Sequence, residues 1–308
     1  MPLVSVIVPA YNVAPYIGQC LASALAQTVD DLEVLIVDDG STDGTADAVA
    51  AFQDSRVRLL GDGVNRGRSA ARNAAIRAAR GEWLALLDAD DWWAPVRLER
   101  LLAVAAAQAA DIVADDLAVI RDGASEPYTT ALLKRRLRLR QPRPITPEQA
   151  IDWDLGITQP LVRRSFWVAA GIAFDESLRA GEEDFPALLA CLLAGARFVL
   201  LPEAHYFYRQ RSGSATSQRE RLFRASREVT LRLLADPAVQ GRAGVRAALQ
   251  RRLRHLEQVL AYHHFKRLMA ERRYGPGLRY LLGQPDLARF LGQHLWRKGR
   301  RRGQSLPK

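Results

Sequence analysis

Cysteine is almost missing from this chain of 308 residues: there are two, Cys20 and Cys191, each among apolar neighbours and without CxxC spacing. No disulfide framework is available, and both thiols read as buried and reduced. Long hydrophobic runs are also missing. The longest, Ala187 to Leu201, is interrupted by Gly195 and Arg197 and is too short to span a bilayer. The N-terminus goes straight into Val4-Ser5-Val6-Ile7-Val8 with no basic stretch before it, so no secretory leader is expected. Neither GxGxxG nor GxxxxGKS/T occurs, which argues against dinucleotide and P-loop chemistry. No recognisable nucleic-acid-binding module is found, and nucleic acid is not expected as a partner. These absences point to a cytoplasmic protein, or one peripheral on the inner face of the cytoplasmic membrane.

What is present is a globular composition, 48% hydrophobic, with a net charge of +10 that is unevenly placed. Of the 44 Lys and Arg, 22 fall between residues 219 and 308, against 6 of the 34 Asp and Glu. The first 218 residues therefore carry a net −6 and the remainder +16. A basic tail on an acidic body implies an anionic partner such as membrane headgroups, nucleic acid or a phosphorylated substrate, of which nucleic acid is disfavoured by the absence of a module.

In the acidic body, short apolar runs alternate with helical patterns. Strands are expected at Leu3–Val8, Leu32–Val37, Val57–Leu60, Trp83–Leu87 and near Ile112–Ala114. Helices are expected at about Tyr16–Ala26, after Thr42 or Asp43 to about Phe52, after Asn65-Arg66-Gly67-Arg68-Ser69 through Arg80, and at about Pro95–Ala109. This order predicts an α/β fold with a mostly parallel, doubly wound sheet. Three strand ends then carry polar groups: Tyr11 and Asn12, Asp38 and Asp39, and Asp88, Asp90 and Asp91. In a parallel sheet those ends share one edge, where open α/β sheets bind ligands. Clustered carboxylates at Asp88 to Asp91 repel one another and call for a positive partner, a hard divalent cation being the chemical match; the alternative is a solvated acidic turn capping the helix that begins near Pro95. Asp91 fits a helix-start carboxylate. Without a glycine-rich loop, a diphosphate would need that metal or arginines, and Arg68 and Arg72 are candidates unless their helical face is merely solvated.

The stretches Val4-Ser5-Val6-Ile7-Val8-Pro9-Ala10-Tyr11-Asn12, Val37-Asp38-Asp39-Gly40-Ser41-Thr42-Asp43 and Asp88-Ala89-Asp90-Asp91, with Asn65, Gly67 and Ala71-Arg72-Asn73 between them, resemble the family 2 glycosyltransferases of the GT-A fold. The resemblance covers roughly the first 215 residues. It implies nucleotide contacts from Pro9, Tyr11, Asn12, Asp39, Arg72 and Asp88. Tyr11 would stack on the base, Asp39 would hydrogen-bond it with Arg72 nearby, Asp88 would face the ribose or donor sugar, and Asp90 would bind Mg2+ or Mn2+.

Gly156–Trp167 and Gly171–Leu178 resemble the family's segment leading to its acidic pair, here within Gly181-Glu182-Glu183-Asp184-Phe185. Inverting transfer needs a base for the acceptor hydroxyl. By resemblance Asp184 is that base, with Glu183 orienting it or contacting the acceptor. A carboxylate at a helix start is expected to stay ionised. Many relatives carry Tyr-Arg-x-His-x-x-Ser where this chain reads Tyr208-Arg209-Gln210-Arg211-Ser212-Gly213-Ser214. Arg211 stands in the histidine's place and cannot ligate metal, so Arg209 or Arg211 is expected to meet the diphosphate or acceptor. His205 is expected to pack at a strand end. The arginine-containing form resembles bacterial exopolysaccharide glucosyltransferases of the succinoglycan-assembly type, which extend lipid-linked oligosaccharides.

Ile120–Pro147, rich in Arg and Pro, reads as a partly mobile loop. The expected organisation is a GT-A domain over 1–218, with a nucleotide-sugar half (1–116) and an acceptor half (117–218), followed by a basic helical extension over 219–308. In that extension Leu249, Leu253, Leu256, Leu260 and Leu268 recur at helical spacing and would dock on the body or pair with a second copy. Leu287, Phe290, Leu291, Leu295 and Trp296, before Arg297-Lys298-Gly299-Arg300-Arg301-Arg302, suit an anionic bilayer. The expected activity is inverting transfer of a hexose, glucose by the narrower resemblance, from a UDP-sugar to a glycan or lipid-linked acceptor in exopolysaccharide synthesis. The alternatives are a GDP- or dTDP-sugar donor, or a protein that binds nucleotide sugars without turnover.

Overall fold

The computed structural model describes residues 1–178, 181–211, 219–284, 287 and 291. The chain divides into two compact units, Met1–Ser217 and Gln218–Lys308.

The first unit opens with β1 (Val4–Ala10), α1 (Ala14–Leu25), β2 (Leu32–Asp38), α2 (Thr45–Ala50), β3 (Val57–Leu60), α3 (Arg68–Ala78) and β4 (Trp83–Leu86). It continues through β5 (Trp92–Trp93), α4 (Arg97–Gln108), β6 (Ile112–Arg121), β7 (Thr129–Thr130), α5 (Ala131–Lys134), β8 (Arg143–Pro144) and α6 (Pro147–Asp152). A 3-10 turn at Leu155–Ile157 leads to β9 (Leu161–Arg163), α7 (Arg164–Ala169), α8 (Asp184–Leu193) and β10 (Phe198–Gln210).

Among the described residues all ten strands join one sheet, whose main path is β3-β2-β1-β4-β9-β6-β10-β5. The nucleotide-side strands β3, β2, β1 and β4 are parallel. Beyond β4 the sheet is mixed, because β9 runs antiparallel to both β4 and β6, while β6 and β10 are parallel.

Alternation along the strands explains why their runs are continuously apolar. Val4, Val6 and Val8 of β1 join Ile17 and Leu21 of α1 in one core. Ile7 of β1 and Leu35 of β2 join Ala71 and Ala75 of α3 and Leu188 of α8 in another. A strand covered on both faces buries every side chain, so it shows no polar alternation.

Several boundaries differ from the sequence-based expectation. Trp92–Trp93 pairs with Phe207 and Tyr206 of β10, so α4 begins at Arg97 rather than Pro95. Strand β6 runs to Arg121, seven residues past Ala114, because its partner β10 continues alongside it. The stretch expected to be a loop, Ile120–Pro147, instead holds the end of β6 together with β7, α5 and β8. Cys20 and Cys191 are free and buried.

The second unit is helical among its described residues: α9 (Arg219–Ala235), α10 (Pro237–Gln240), α11 (Ala243–Ala270) and α12 (Tyr274–Leu282). Leu249, Leu256 and Leu268 of α11 are buried. Of the expected bilayer-binding segment, Leu287 is buried, and Phe290, Leu295, Trp296 and residues 297–302 lie outside the described residues. Among the described residues no helix is long and apolar enough to cross a membrane.

Candidate active site

At the carboxyl ends of β1, β2 and β4 lies a cavity of about 560 Å³, lined by Pro9, Tyr11, Asn12, Asp39, Asp88 and Asp90. From later in the chain it gathers Gln159, Glu183, Asp184, Tyr208, Arg209 and Arg211. Residues more than 170 positions apart in sequence thus meet at one sheet edge, where parallel strands leave a crevice for a ligand.

Tyr11 is half-exposed at this cavity. Asn12 follows it in the left-handed region at φ +51°, a conformation asparagine tolerates. Its backbone N–H donates to Ser41 Oγ at 3.0 Å, and its Oδ1 accepts from the Thr42 N–H at 2.9 Å. Asn12 therefore staples the β1 loop to the β2 loop. Gly40 permits the close approach of this loop to its neighbour. A Cβ there would stand 2.9 Å from both the Asn65 nitrogen and the Gly63 oxygen, at a φ of +76°.

The paired aspartates after β2 divide their work. Asp38 accepts from the N–H of Ser41 within its own turn. Asp39 is buried and accepts from the backbone N–H groups of Arg66 at 2.7 Å and Gly67 at 2.9 Å. These donors come from the turn before α3, so Asp39 fixes that loop against the cavity.

Arg72 is the pivot of the site. It is fully buried on α3 and donates to Asp88 at 2.7 Å, Glu183 at 3.2 Å and Asp184. Burial opposes its charge, but Asp184, Asp88 and Glu183 overcome that and raise its pKa above the ordinary arginine value. Arg72 lies outside the cavity lining and holds three carboxylates together. The α3 face is not a solvated one. Arg68, one turn earlier, does line the cavity and reaches Glu183 at 2.5 Å. Asn73 pins the chain ahead of the acidic pair, exchanging hydrogen bonds with the Phe174 backbone and donating to Glu176.

Asp184 begins α8, and Glu183 precedes it as the cap residue. Burial is the largest influence on Asp184 and pushes its pKa up to about 6 against the opposing pull of Arg72. Loss of solvent outweighs the helix end in setting this value, yet a carboxyl with a pKa of about 6 is still ionised at neutral pH, as expected of this helix start. Gly156 allows the 3-10 turn to approach this point, since a Cβ there would sit 2.7 Å from Phe185 Cβ.

Asp91 is no helix-start residue. It is buried, accepts from the Tyr206 hydroxyl at 2.8 Å and from the Arg209 N–H at 2.7 Å, and so ties the acidic loop to β10. Burial, with Asp90 and Asp88 nearby, raises its pKa well above the carboxylate range. Arg209 is likewise engaged within the fold. Its guanidinium reaches the Asp90 carbonyl, Asp122 and Gln19, and stands 4.6 Å from the Trp92 ring centre. The expected diphosphate contact from Arg209 would compete with those bonds. His205 sits in β10 with Nε2 2.9 Å from Glu203, away from the cavity lining.

Two residues of the site carry no sequence signal. Gln159 is buried and lies at φ +45°, a strained conformation for a non-glycine residue ahead of proline. Its Nε2 donates to Asp88 Oδ2 at 2.9 Å, opposite Arg72 on Oδ1. Its carbonyl is fixed by Arg97, itself paired with Asp115 at 2.8 Å in full burial. Tyr16 places its ring about 5 Å from the guanidinium carbons of both Arg209 and Arg211.

As a cation site the acidic loop is incomplete. Asp88 is taken by Arg72 and Gln159, Asp91 by Tyr206 and Arg209, and Asp90 Oδ2 by Arg211 Nε at 2.6 Å. Among the described residues no group of three or more His, Cys, Asp or Glu is arranged to hold a metal ion. One carboxylate completed by diphosphate oxygens is nevertheless a usual arrangement for a hard divalent ion. Asp90 fits that role once Arg211 releases it.

The profile of glycosyl transferase family 2 matches residues 5–157, the region that builds β1 through the turn ahead of β9. Over 98% of its length the chain is 35% identical to the succinoglycan biosynthesis protein ExoO of Rhizobium meliloti (strain 1021), spanning 87% of that protein. The chain belongs to glycosyl transferase family 2. Among solved structures, this glycosyltransferase resembles S. aureus TarS in complex with UDP-GlcNAc, with a TM-score of 0.64, 24% identity and coverage of 95% of this chain and 80% of that one. It also resembles the mannosyltransferase PcManGT of Pyrobaculum calidifontis in complex with GDP-Man and Mn2+, with a TM-score of 0.59, 22% identity and coverage of 96% and 88%. These likenesses identify the GT-A fold of the glycosyltransferase.

Proposed function

We propose that this glycosyltransferase moves a hexose from a UDP-sugar to a glycan or lipid-linked acceptor, with inversion, in the assembly of an exopolysaccharide. The observation that carries this reading is the meeting of Tyr11, Asp39, Asp88 and Asp184 around one cavity. The family supplies the reaction class, and the relative named for succinoglycan biosynthesis supports the polysaccharide context.

In this mechanism Tyr11 stacks on the base, and Asp39 Oδ2, which keeps lone-pair capacity beside Gly67, accepts a base N–H. Pro9 and Asn12 line that pocket. Asp88, clamped on both oxygens, faces the ribose or donor sugar without freedom to turn. Asp184 removes the acceptor hydroxyl proton as that oxygen attacks the anomeric carbon and the nucleoside diphosphate leaves. A base whose pKa is about 6 is ionised at neutral pH yet retains proton affinity. Glu183, held by Arg68 and Arg72, keeps the acceptor side in register. A bound Mg2+ or Mn2+ would supply positive charge against the departing diphosphate. Arg211 supplies a guanidinium to the same end.

Residues 1–218 are assigned the catalysis and 219–308 contact with an anionic membrane surface, which would keep the protein at the inner face of the cytoplasmic membrane. Support for the lipid contact comes from α12, where Tyr274, Leu278 and Leu282 are exposed one turn apart and Arg273 and Arg279 stand beside them. The test is UDP release from UDP-glucose, UDP-galactose and UDP-GlcNAc, with and without a membrane extract containing lipid-linked oligosaccharide. Acceptor-dependent release from one of them supports the reading. Release from GDP-mannose or a dTDP-sugar alone would move the donor assignment, and binding without any release would indicate a non-catalytic protein.

A further inference from the structure

Arg211 occupies an unusual position for a residue expected to meet a diphosphate. Its Nε donates to Asp90 Oδ2 at 2.6 Å, and its guanidinium carbon lies 5.2 Å from the Tyr16 ring centre. The Tyr16 hydroxyl is anchored on Asp122 at 2.9 Å, so the platform under Arg211 is fixed. Both members of the Arg211–Asp90 pair remain partly accessible at the cavity, with 23% and 19% of their side chains exposed. The other carboxylates of the loop already have internal partners. Asp90 is also partnered, but by a guanidinium that is itself partly exposed at the cavity, so it is the carboxylate an incoming cation would contend for.

A guanidinium and a divalent ion cannot share one carboxylate oxygen at contact distance, because their charges repel at a separation where screening is weak. A diphosphate entering the cavity changes the balance. It offers Arg211 several oxygens in bidentate geometry in place of one, and brings negative charge for a cation.

We propose that Arg211 competes with the divalent cation for Asp90, so that the cation binds well only when the donor diphosphate draws Arg211 away. The proposal rests on the reading of this cavity as the nucleotide-sugar site. Arg211 is then the resident counter-ion of the empty site and a diphosphate ligand of the filled one. Cation and nucleotide binding are coupled through the transfer of one side chain. The coupling is reciprocal, since what nucleotide does for cation affinity the cation must do for nucleotide affinity.

The experiment is Mn2+ binding to the full chain, followed by the electron paramagnetic resonance of free Mn2+, without nucleotide and with saturating UDP. It is run on the wild type, Arg211→Gln, Arg211→Lys and Asp90→Asn, with UDP affinity measured separately by calorimetry in the absence of metal. Arg211→Gln should bind Mn2+ at least about tenfold more tightly than the wild type without nucleotide, the scale of one charge-assisted hydrogen bond. Arg211→Lys should stay close to the wild type, and Asp90→Asn should lose the site. UDP should strengthen Mn2+ binding in the wild type by a larger factor than in Arg211→Gln. Equal or weaker Mn2+ binding by Arg211→Gln, with UDP still bound, would overturn the competition and leave the donor site standing. Failure of every form to bind UDP even with Mn2+ present would instead remove the nucleotide-sugar reading itself.

Discussion

The guanidinium of Arg72 contacts Asp184 across 112 residues of sequence and holds Asp88 from its other nitrogen at 2.7 Å. Donor-side and acceptor-side carboxylates are thus fastened to one buried charge. Removing that charge leaves Asp88, Glu183 and Asp184 with only Arg68 on Glu183 and the Gln159 amide on Asp88 as compensation. Arg72→Met is expected to lose about 3–5 kcal/mol of stability in urea unfolding, the usual cost of breaking a buried ion pair from one side. Arg72→Lys, keeping the charge but losing the fork, should fall between the two.

Asp184 gives the account its pH signature. Burial raises its pKa to about 6, and the base works only when deprotonated. Turnover measured as kcat/KM should rise about tenfold per pH unit below that value and level off above it. Since Arg72 opposes the rise, a folded Arg72→Lys variant with a looser contact should have its rising limb displaced to higher pH. Asp184→Asn should lower kcat by about 10²–10⁴ while UDP affinity stays near wild type. A flat profile between pH 5 and 8 would remove Asp184 as the base.

Tyr11 and Asp39 should govern nucleotide affinity and little else. Base stacking on an aromatic ring is worth about 1–3 kcal/mol, so Tyr11→Ala should weaken UDP binding by about 5- to 150-fold in calorimetry. Asp39→Asn should cost a similar factor, because its carboxylate also holds the Arg66–Gly67 turn.

Gln159 is expected to act through Asp88. Gln159→Leu removes the hydrogen bond to Asp88 Oδ2 and should reduce kcat/KM by about tenfold or more, with unfolding midpoint little changed. Partial rescue by Gln159→Asn would separate loss of the amide from loss of volume.

Much of the first unit can be read from sequence because its strands are buried on both faces. Val4–Val8 and Leu32–Val37 stand out as apolar runs, and a parallel arrangement brings their polar ends to a common edge. The internal wiring of the site has no such local period. Arg72 sits in an alanine-rich helix whose pattern does not distinguish a buried arginine from a solvated one. Its partners Glu183 and Asp184 lie more than 100 residues away. Asp91 reads as a helix start until Trp92–Trp93 pairs with β10 and pushes that start to Arg97. Gln159 belongs to an irregular turn, and its role follows from a strained backbone that only the assembled sheet can hold.

The most direct test of the central claim is a calorimetric titration of the purified full chain with UDP, GDP and dTDP, each with and without Mn2+, repeated on Tyr11→Ala and Asp39→Asn. A single UDP site, tighter than those for the other two nucleotides and weakened in both variants, is the predicted result. Absence of nucleotide binding, or UDP binding indifferent to both substitutions, would contradict the assignment of this cavity as the donor site.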